Sequence, residues 1–96
     1  MTLNSKQKKF LRASAHKLKP VVIVGGAGLT DTVLNEIETS IEHHELIKVK
    51  INAATRDDRQ AIIDRVCRSV HAELVNHIGH IATFYRAAAK PSIKIP

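Results

Sequence analysis

The chain has one cysteine, Cys67, and no tryptophan. A lone cysteine excludes an intramolecular disulfide and any zinc site built on cysteine pairs. The lack of disulfides fits a reducing compartment. Aromatic residues are limited to Phe10, Phe84 and Tyr85. A core must therefore be filled by Val, Ile, Leu and Ala, and no interleaved aromatic platform for stacking bases is on offer. No apolar run approaches the ~20 residues needed to cross a bilayer. The opening Met-Thr-Leu-Asn-Ser-Lys-Gln-Lys-Lys goes straight into charge, unlike a secretory leader. The expected location is cytoplasmic, away from membranes.

The 96 residues, 44% hydrophobic and 25% charged, have room for one domain and one core. We expect a single domain over 1–96. A formal charge of +6 suggests an acidic partner, nucleic acid foremost. The charge is unevenly spread. Residues 1–20 carry Lys6, Lys8, Lys9, Arg12, Lys17 and Lys19 and no acid. Residues 21–45 carry Asp31, Glu36, Glu38, Glu42 and Glu45 and no Lys or Arg. The remainder is basic again, which predicts a polarised surface.

Ser5 is a candidate cap for a first helix to about His16 or Lys17, ended by Pro20. Gln7, Phe10, Leu11, Ser14 and Leu18 share one side of it; Lys8, Lys9, Arg12, His16 and Lys19 form a basic stripe on another. Val21–Val24 is a continuous β-branched run and reads as a buried strand. Thr30 or Asp31 caps a second helix to about His43, with Val33, Leu34, Ile37 and Ile41 facing inward. From Leu46 to Ile51 the pattern alternates, with Lys48 and Lys50 opposite Ile47, Val49 and Ile51, as in a half-buried strand. Asp57 is expected to cap a third helix to about Val70, packed through Ile62, Ile63, Val66, Cys67 and Val70. Two strands follow, Glu73–Ile78 and His80 to Phe84 or Tyr85, hinged at Gly79. Residues 87–96 are expected to lie extended over the surface. The fold class is α/β, in the order α-β-α-β-α-β-β, a mixed sheet with packed helices.

Val24-Gly25-Gly26-Ala27-Gly28-Leu29-Thr30 lies between a strand and a helix. Glycines allow a sharp turn and a close backbone approach, and the following helix favours an anion at its start. No Lys-Ser/Thr pair follows, so this is not a nucleotide-hydrolysing P-loop, and Asp31 stands where a dinucleotide fingerprint needs Gly or Ala. What remains is G-x-x-G, either a plain turn or the clamp that KH-type modules place on a nucleic-acid backbone. The basic stripe likewise reads as a solvated face or as phosphate contacts.

Other constellations are poorer. Six histidines include His43-His44 and the spread trio His71, His77 and His80, but none has metal-ligand spacing. His16, His77 and His80 are better read as polar contacts to phosphate or base. Cys67 sits on an apolar helix face, Asp57-Asp58 at a helix start, and no serine occupies a nucleophile elbow. Phe84 and Tyr85 fall on opposite strand faces, one in the core and the other a candidate to stack a base. No active site, cofactor, metal or small-molecule substrate is expected.

Several stretches together resemble a known family. They are Lys17-Leu18-Lys19-Pro20-Val21-Val22, the glycine loop Val24 to Thr30, and His44-Glu45-Leu46-Ile47-Lys48-Val49-Lys50. The later Ala72 to His80, Phe84-Tyr85-Arg86 and Lys90-Pro91 belong with them. In order and spacing they are similar to the CRM domain (chloroplast RNA splicing and ribosome maturation) in its stand-alone bacterial YhbY-like form. The resemblance spans nearly the whole chain. It implies a fold like the C-terminal domain of bacterial translation initiation factor three, with a four-stranded mixed sheet. It also implies RNA binding and association with precursors of the large ribosomal subunit. The RNA contacts it implies fall on Gly25, Gly28 and the Lys and Arg residues of the first helix and second strand. With the residues' own reading, the candidate contacts are Gly25, Gly26, Ala27 and Gly28 of the loop, Lys8, Lys9, Arg12, His16 and Lys19 of the basic stripe, and Lys48 and Lys50 of the second strand. In one respect the chain departs from the family, whose two middle loop positions commonly include a basic residue, as in Gly-Lys-Asn-Gly. Gly26 and Ala27 leave only backbone N–H groups there, so the neighbouring helix must carry more of the charge.

The leading expectation is a monomeric, non-enzymatic binder of ribosomal RNA. The competing ones are a duplex DNA binder and a protein-interaction adaptor working through the acidic second helix.

Overall fold

A computed structural model describes residues 2–96. Its elements are α1 (Ser5–Ala15), β1 (Pro20–Val24), α2 (Asp31–His44), β2 (Leu46–Ile51), α3 (Arg56–Val70), β3 (Glu73–Ile78) and β4 (Ile81–Tyr85). The order matches the expected alternation, and the helix ends show why boundaries shift by a residue. Asn4, not Ser5, caps α1. It forms a capping box with Gln7, each side chain accepting the other's backbone N–H at 2.8 and 3.0 Å. A cap at Ser5 would pair with Lys8, which has no acceptor to return the bond. Thr55, not Asp57, caps α3 by accepting the Asp58 N–H at 3.0 Å. Asp57 and Asp58 instead occupy the first turn, where their charge meets the positive end of the helix. Thr30 caps α2 as expected, through the Val33 N–H.

The sheet runs β1-β2-β4-β3, with β1 parallel to β2 and the other two pairings antiparallel. A parallel pair needs a crossover, which α2 supplies. Gly79, at φ +57, turns the β3–β4 hairpin.

One face of the sheet packs on α2 and α3. Val22, Val24, Ile47, Val49, Ile51 and Phe84 meet Ile37, Ile41, Ile63, Val66 and Val70 there. Burying each such side chain stabilises by about 1.5–3 kcal/mol. The other face carries a smaller core in which α1 covers one end: Leu3, Leu11 and Ala15 on Leu46, Val75 and Tyr85. Of the residues that share one side of α1, Leu11 is buried and Phe10 is 39% exposed, while Ala15 is buried as well.

Two corrections concern this second face. Val21–Val24 is not buried on both sides, because β1 is an edge strand and α1 lies over β2, β3 and β4. Val22 and Val24 are buried, whereas Ile23 is 58% exposed. Phe84 and Tyr85 do lie on opposite faces, but each is buried in its own core, so neither is available to stack a base.

Residues 87–96 do not merely run over the surface. Ile93 and Ile95 pack against the smaller core, and the Pro96 carbonyl accepts the Gln7 side-chain N–H at 3.1 Å. Among the described residues no helix is long and apolar enough to cross a membrane.

Candidate nucleic-acid interface

Strand register builds the site. On the face carrying α1, Ile78 pairs with Ile81, Ile81 with Lys50, and Lys50 with Ile23, a row across all four strands. A second row runs Asn76, Thr83, Lys48 and Pro20. At about 4.8 Å per strand, each row is roughly 15 Å long. The next row, with Leu46 and Tyr85, lies beneath α1 and the C-terminal tail. Apart from buried Thr83, these two rows are the more open part of that face, with Pro20, Ile23, Lys50 and Ile78 exposed.

Where these rows pass α1 there is a groove of about 800 Å³. Lys9, Arg12 and His16 line it from the helix, together with Ala13 and Ala15. Its floor is Lys48, Asn76, Ile78, Ile81 and Thr83. Every Lys, Arg, Asp or Glu among these is basic. With no carboxylate among the lining residues to neutralise them, the cations favour an anionic ligand.

Four predicted contact residues, Lys9, Arg12, His16 and Lys48, therefore converge. Lys50 lies in the outer row beside Ile23, between the groove and β1. Lys8 and Lys19 are exposed but do not line the groove. Asn76, Ile78, Ile81 and Thr83 were not expected from sequence. Alternation in β3 and β4 gives their face, but only the order β2-β4-β3 brings them beside Lys48.

The glycine loop leaves β1 at the end of the sheet where Lys50, Ile78 and Ile81 lie. The Gly28 N–H donates to the Gly25 carbonyl at 3.0 Å, and the Thr30 N–H to the Gly28 carbonyl at 3.1 Å. The loop is thus a closed turn, anchored by buried Leu29, whose carbonyl accepts from Arg65 at 3.3 Å. Gly28 has φ +78, which an L side chain adopts with strain. At Gly25 and Gly26 a Cβ would meet nothing within 4 Å. This sharpens the expected backbone cradle. The Gly28 amide is already bonded, Thr30 caps the helix, and Asp31 adds a negative charge to its first turn. The amides of Gly26 and Ala27 at the tip make no such bond within the loop.

His77 and His80 serve the fold. His77 Nε2–H donates to the Gly79 carbonyl and His80 Nδ1–H to the Ile51 carbonyl, both at 2.8 Å. Burial pushes the Cys67 thiol up, as suits a packed cysteine. Among the described residues no group of three His, Cys, Asp or Glu could hold a metal. Two acids of α2 are committed within the fold. Arg86 reaches Glu38 and Glu42 at 2.6 Å each and the Val70 carbonyl at 2.7 Å. Hydrogen bonding to Arg86 holds the Glu38 carboxyl below its usual range.

A small basic α/β module with a cationic groove, and with a glycine turn that lies outside that groove, is the class that fold and surface define. The chain belongs to the CRS1 / YhbY (CRM) domain family, whose pattern it matches over residues 3–86. It is 50% identical to an "RNA-binding protein" of Haemophilus influenzae, covering 99% of this chain and 96% of that one. It is 32% identical to the "Probable RNA-binding protein YqeI" of Bacillus subtilis, covering 98% and 99%. The solution structure of the Staphylococcus aureus protein SAV1595 superposes with a TM-score of 0.86 at 30% identity, over 99% of this chain and 100% of that one.

Proposed function

We propose that the chain binds RNA across the open rows of its sheet and the basic side of α1, with ribosomal RNA in precursor large subunits as its target. The observation that carries this is the convergence of Lys9, Arg12, His16 and Lys48 on one groove free of carboxylates. The names of the Haemophilus and Bacillus relatives support RNA as the ligand. The ribosomal target rests on the resemblance to YhbY-like proteins. The activity is binding by a monomer, without catalysis, and the reading carries a cytoplasmic location with it.

Adaptor binding through α2 is disfavoured, because Arg86 already engages Glu38 and Glu42. Phosphate contacts supply most of the affinity, which therefore falls steeply with salt. Two measurements test the proposal. The Lys9→Glu/Arg12→Glu/Lys48→Glu variant should lose binding to structured RNA while keeping its fold, and unchanged binding would refute the surface. In a low-salt gradient of cell extract the protein should sediment with large-subunit precursors. Its absence from every ribosomal particle would refute the target.

A further inference from the structure

We infer that the groove between α1 and the sheet receives unpaired nucleotides, with their bases on the sheet, so that the preferred ligand is a bulged or looped RNA and not a continuous duplex. The inference rests on the RNA-binding reading and specifies the form of RNA that this surface takes.

The floor and the wall of the groove differ in chemistry. The wall offers Lys9 and Arg12, suited to phosphates. The floor carries an apolar strip: Ile78 is 70% exposed, Ile81 is paired beside it, and Ala13 of the helix lines the same groove. Across the sheet the same row continues to exposed Ile23. A regular duplex presents phosphates and riboses outward and keeps its base faces stacked inside. Laid over this floor, it would cover Ile78 with polar backbone and gain nothing from it. An unstacked base brings a flat apolar face that the isoleucines can bury, while its own phosphate reaches the cationic wall.

One accessible polar group lies in the adjoining row: half-buried Asn76 carries an amide donor and acceptor, whereas Thr83 beside it is buried. An amide suits the edge of a base, which is accessible only when the base is unpaired. A groove of about 800 Å³ has room for a nucleobase with its sugar and phosphate. Phe84 and Tyr85 are buried, so the platform is aliphatic, which makes base contact a matter of apolar burial and not of ring stacking.

The test uses the full chain and three hairpin RNAs of matched sequence: one with an internal bulge, one with the same bulge made abasic, and one fully paired. The bulged and abasic RNAs carry the same phosphates, so their difference reads base contact alone. Binding to the bulged RNA should be about tenfold tighter than to either of the others at matched salt. In Ile78→Ser, at a position exposed enough to keep the fold, the preference for the bulged over the abasic RNA should narrow to about threefold or less. Equal affinity for the bulged and abasic RNAs, or an unchanged preference in Ile78→Ser, would overturn the inference while leaving RNA binding intact. If the Lys9→Glu/Arg12→Glu/Lys48→Glu variant also bound all three RNAs like the parent, the underlying reading would fall with it.

Discussion

Glu45 accepts the backbone N–H of Ser92 at 2.8 Å across 47 residues of sequence. The same carboxylate takes the Ile93 N–H at 3.2 Å and the Ala88 N–H at 2.9 Å. Glu45 ends α2 at a positive φ of +66 and is 1% exposed. One buried anion thus gathers the C-terminal tail, which brings Ile93 and Ile95 onto the core beneath α1. The groove-bearing helix rests on that same core, so the tail supports the binding surface from behind.

A pH dependence follows from this clamp. Burial would raise the Glu45 carboxyl, but the N–H donors of Ala88, Ser92 and Ile93 outweigh it and hold it below its ordinary value of 4.5. A carboxylate with a lowered folded pKa contributes stability above its unfolded pKa and loses it as the pH falls through the folded one. Glu45→Gln, which cannot satisfy all three donors, should cost about 1–3 kcal/mol at neutral pH. Urea unfolding of both proteins at pH 7 and near pH 3 checks this, because protonation makes the parent resemble the variant. The stability gap should shrink on acidification; a constant gap would count against the clamp.

The glycine loop separates fold from ligand. Gly28→Ala should cost about 1–2 kcal/mol, since φ +78 is strained for alanine. Gly25→Ala and Gly26→Ala meet open space and should leave stability unchanged or raise it by up to ~1 kcal/mol. Thermal unfolding of the three variants reads the contrast directly. If Gly25→Ala or Gly26→Ala destabilised as much as Gly28→Ala, those glycines would be serving the fold after all.

Element order was legible because periods of 3.6 and 2 are local properties of the chain. Position in the sheet was not. Val21–Val24 has the same composition whether it is covered on one face or two, and only the edge position of β1 decides that Ile23 is exposed. The site was half legible for the same reason. Lys9, Arg12 and His16 show as a helical stripe, and Lys48 as an outward strand residue. Asn76, Ile78, Ile81 and Thr83 join them through pairings made 30 or so residues away, which no local pattern encodes. The role of Glu45 was hidden too, since an acid at a helix end reads as surface until a tail is found to need its oxygens.

Restoring a positive charge to the loop should strengthen RNA binding. Gly26 points a would-be Cβ into open space and its φ is outside the left-handed region, so Gly26→Lys fits without strain. A new phosphate contact should steepen the slope of log affinity against log salt by about 0.7–0.9. Titrations of the bulged RNA at two salt concentrations give that slope. An unchanged slope would mean that the loop tip does not approach the backbone of the RNA.

The groove also ranks the basic residues. Lys9, Arg12 and Lys48 line it, whereas Lys8 and Lys19 are exposed outside it. If net charge alone attracted RNA, removing any one cation would have the same effect. A groove that holds phosphates at fixed positions predicts a split. Lys9→Ala, Arg12→Ala and Lys48→Ala should each cost roughly 1 kcal/mol of binding, near fivefold in Kd, and flatten the salt slope. Lys8→Ala and Lys19→Ala should each change Kd by less than about twofold, since an exposed charge away from the contact is screened within ~8–10 Å. Filter binding of the five single variants at one ionic strength measures the split. Equal losses across all five would replace a localised site with diffuse attraction.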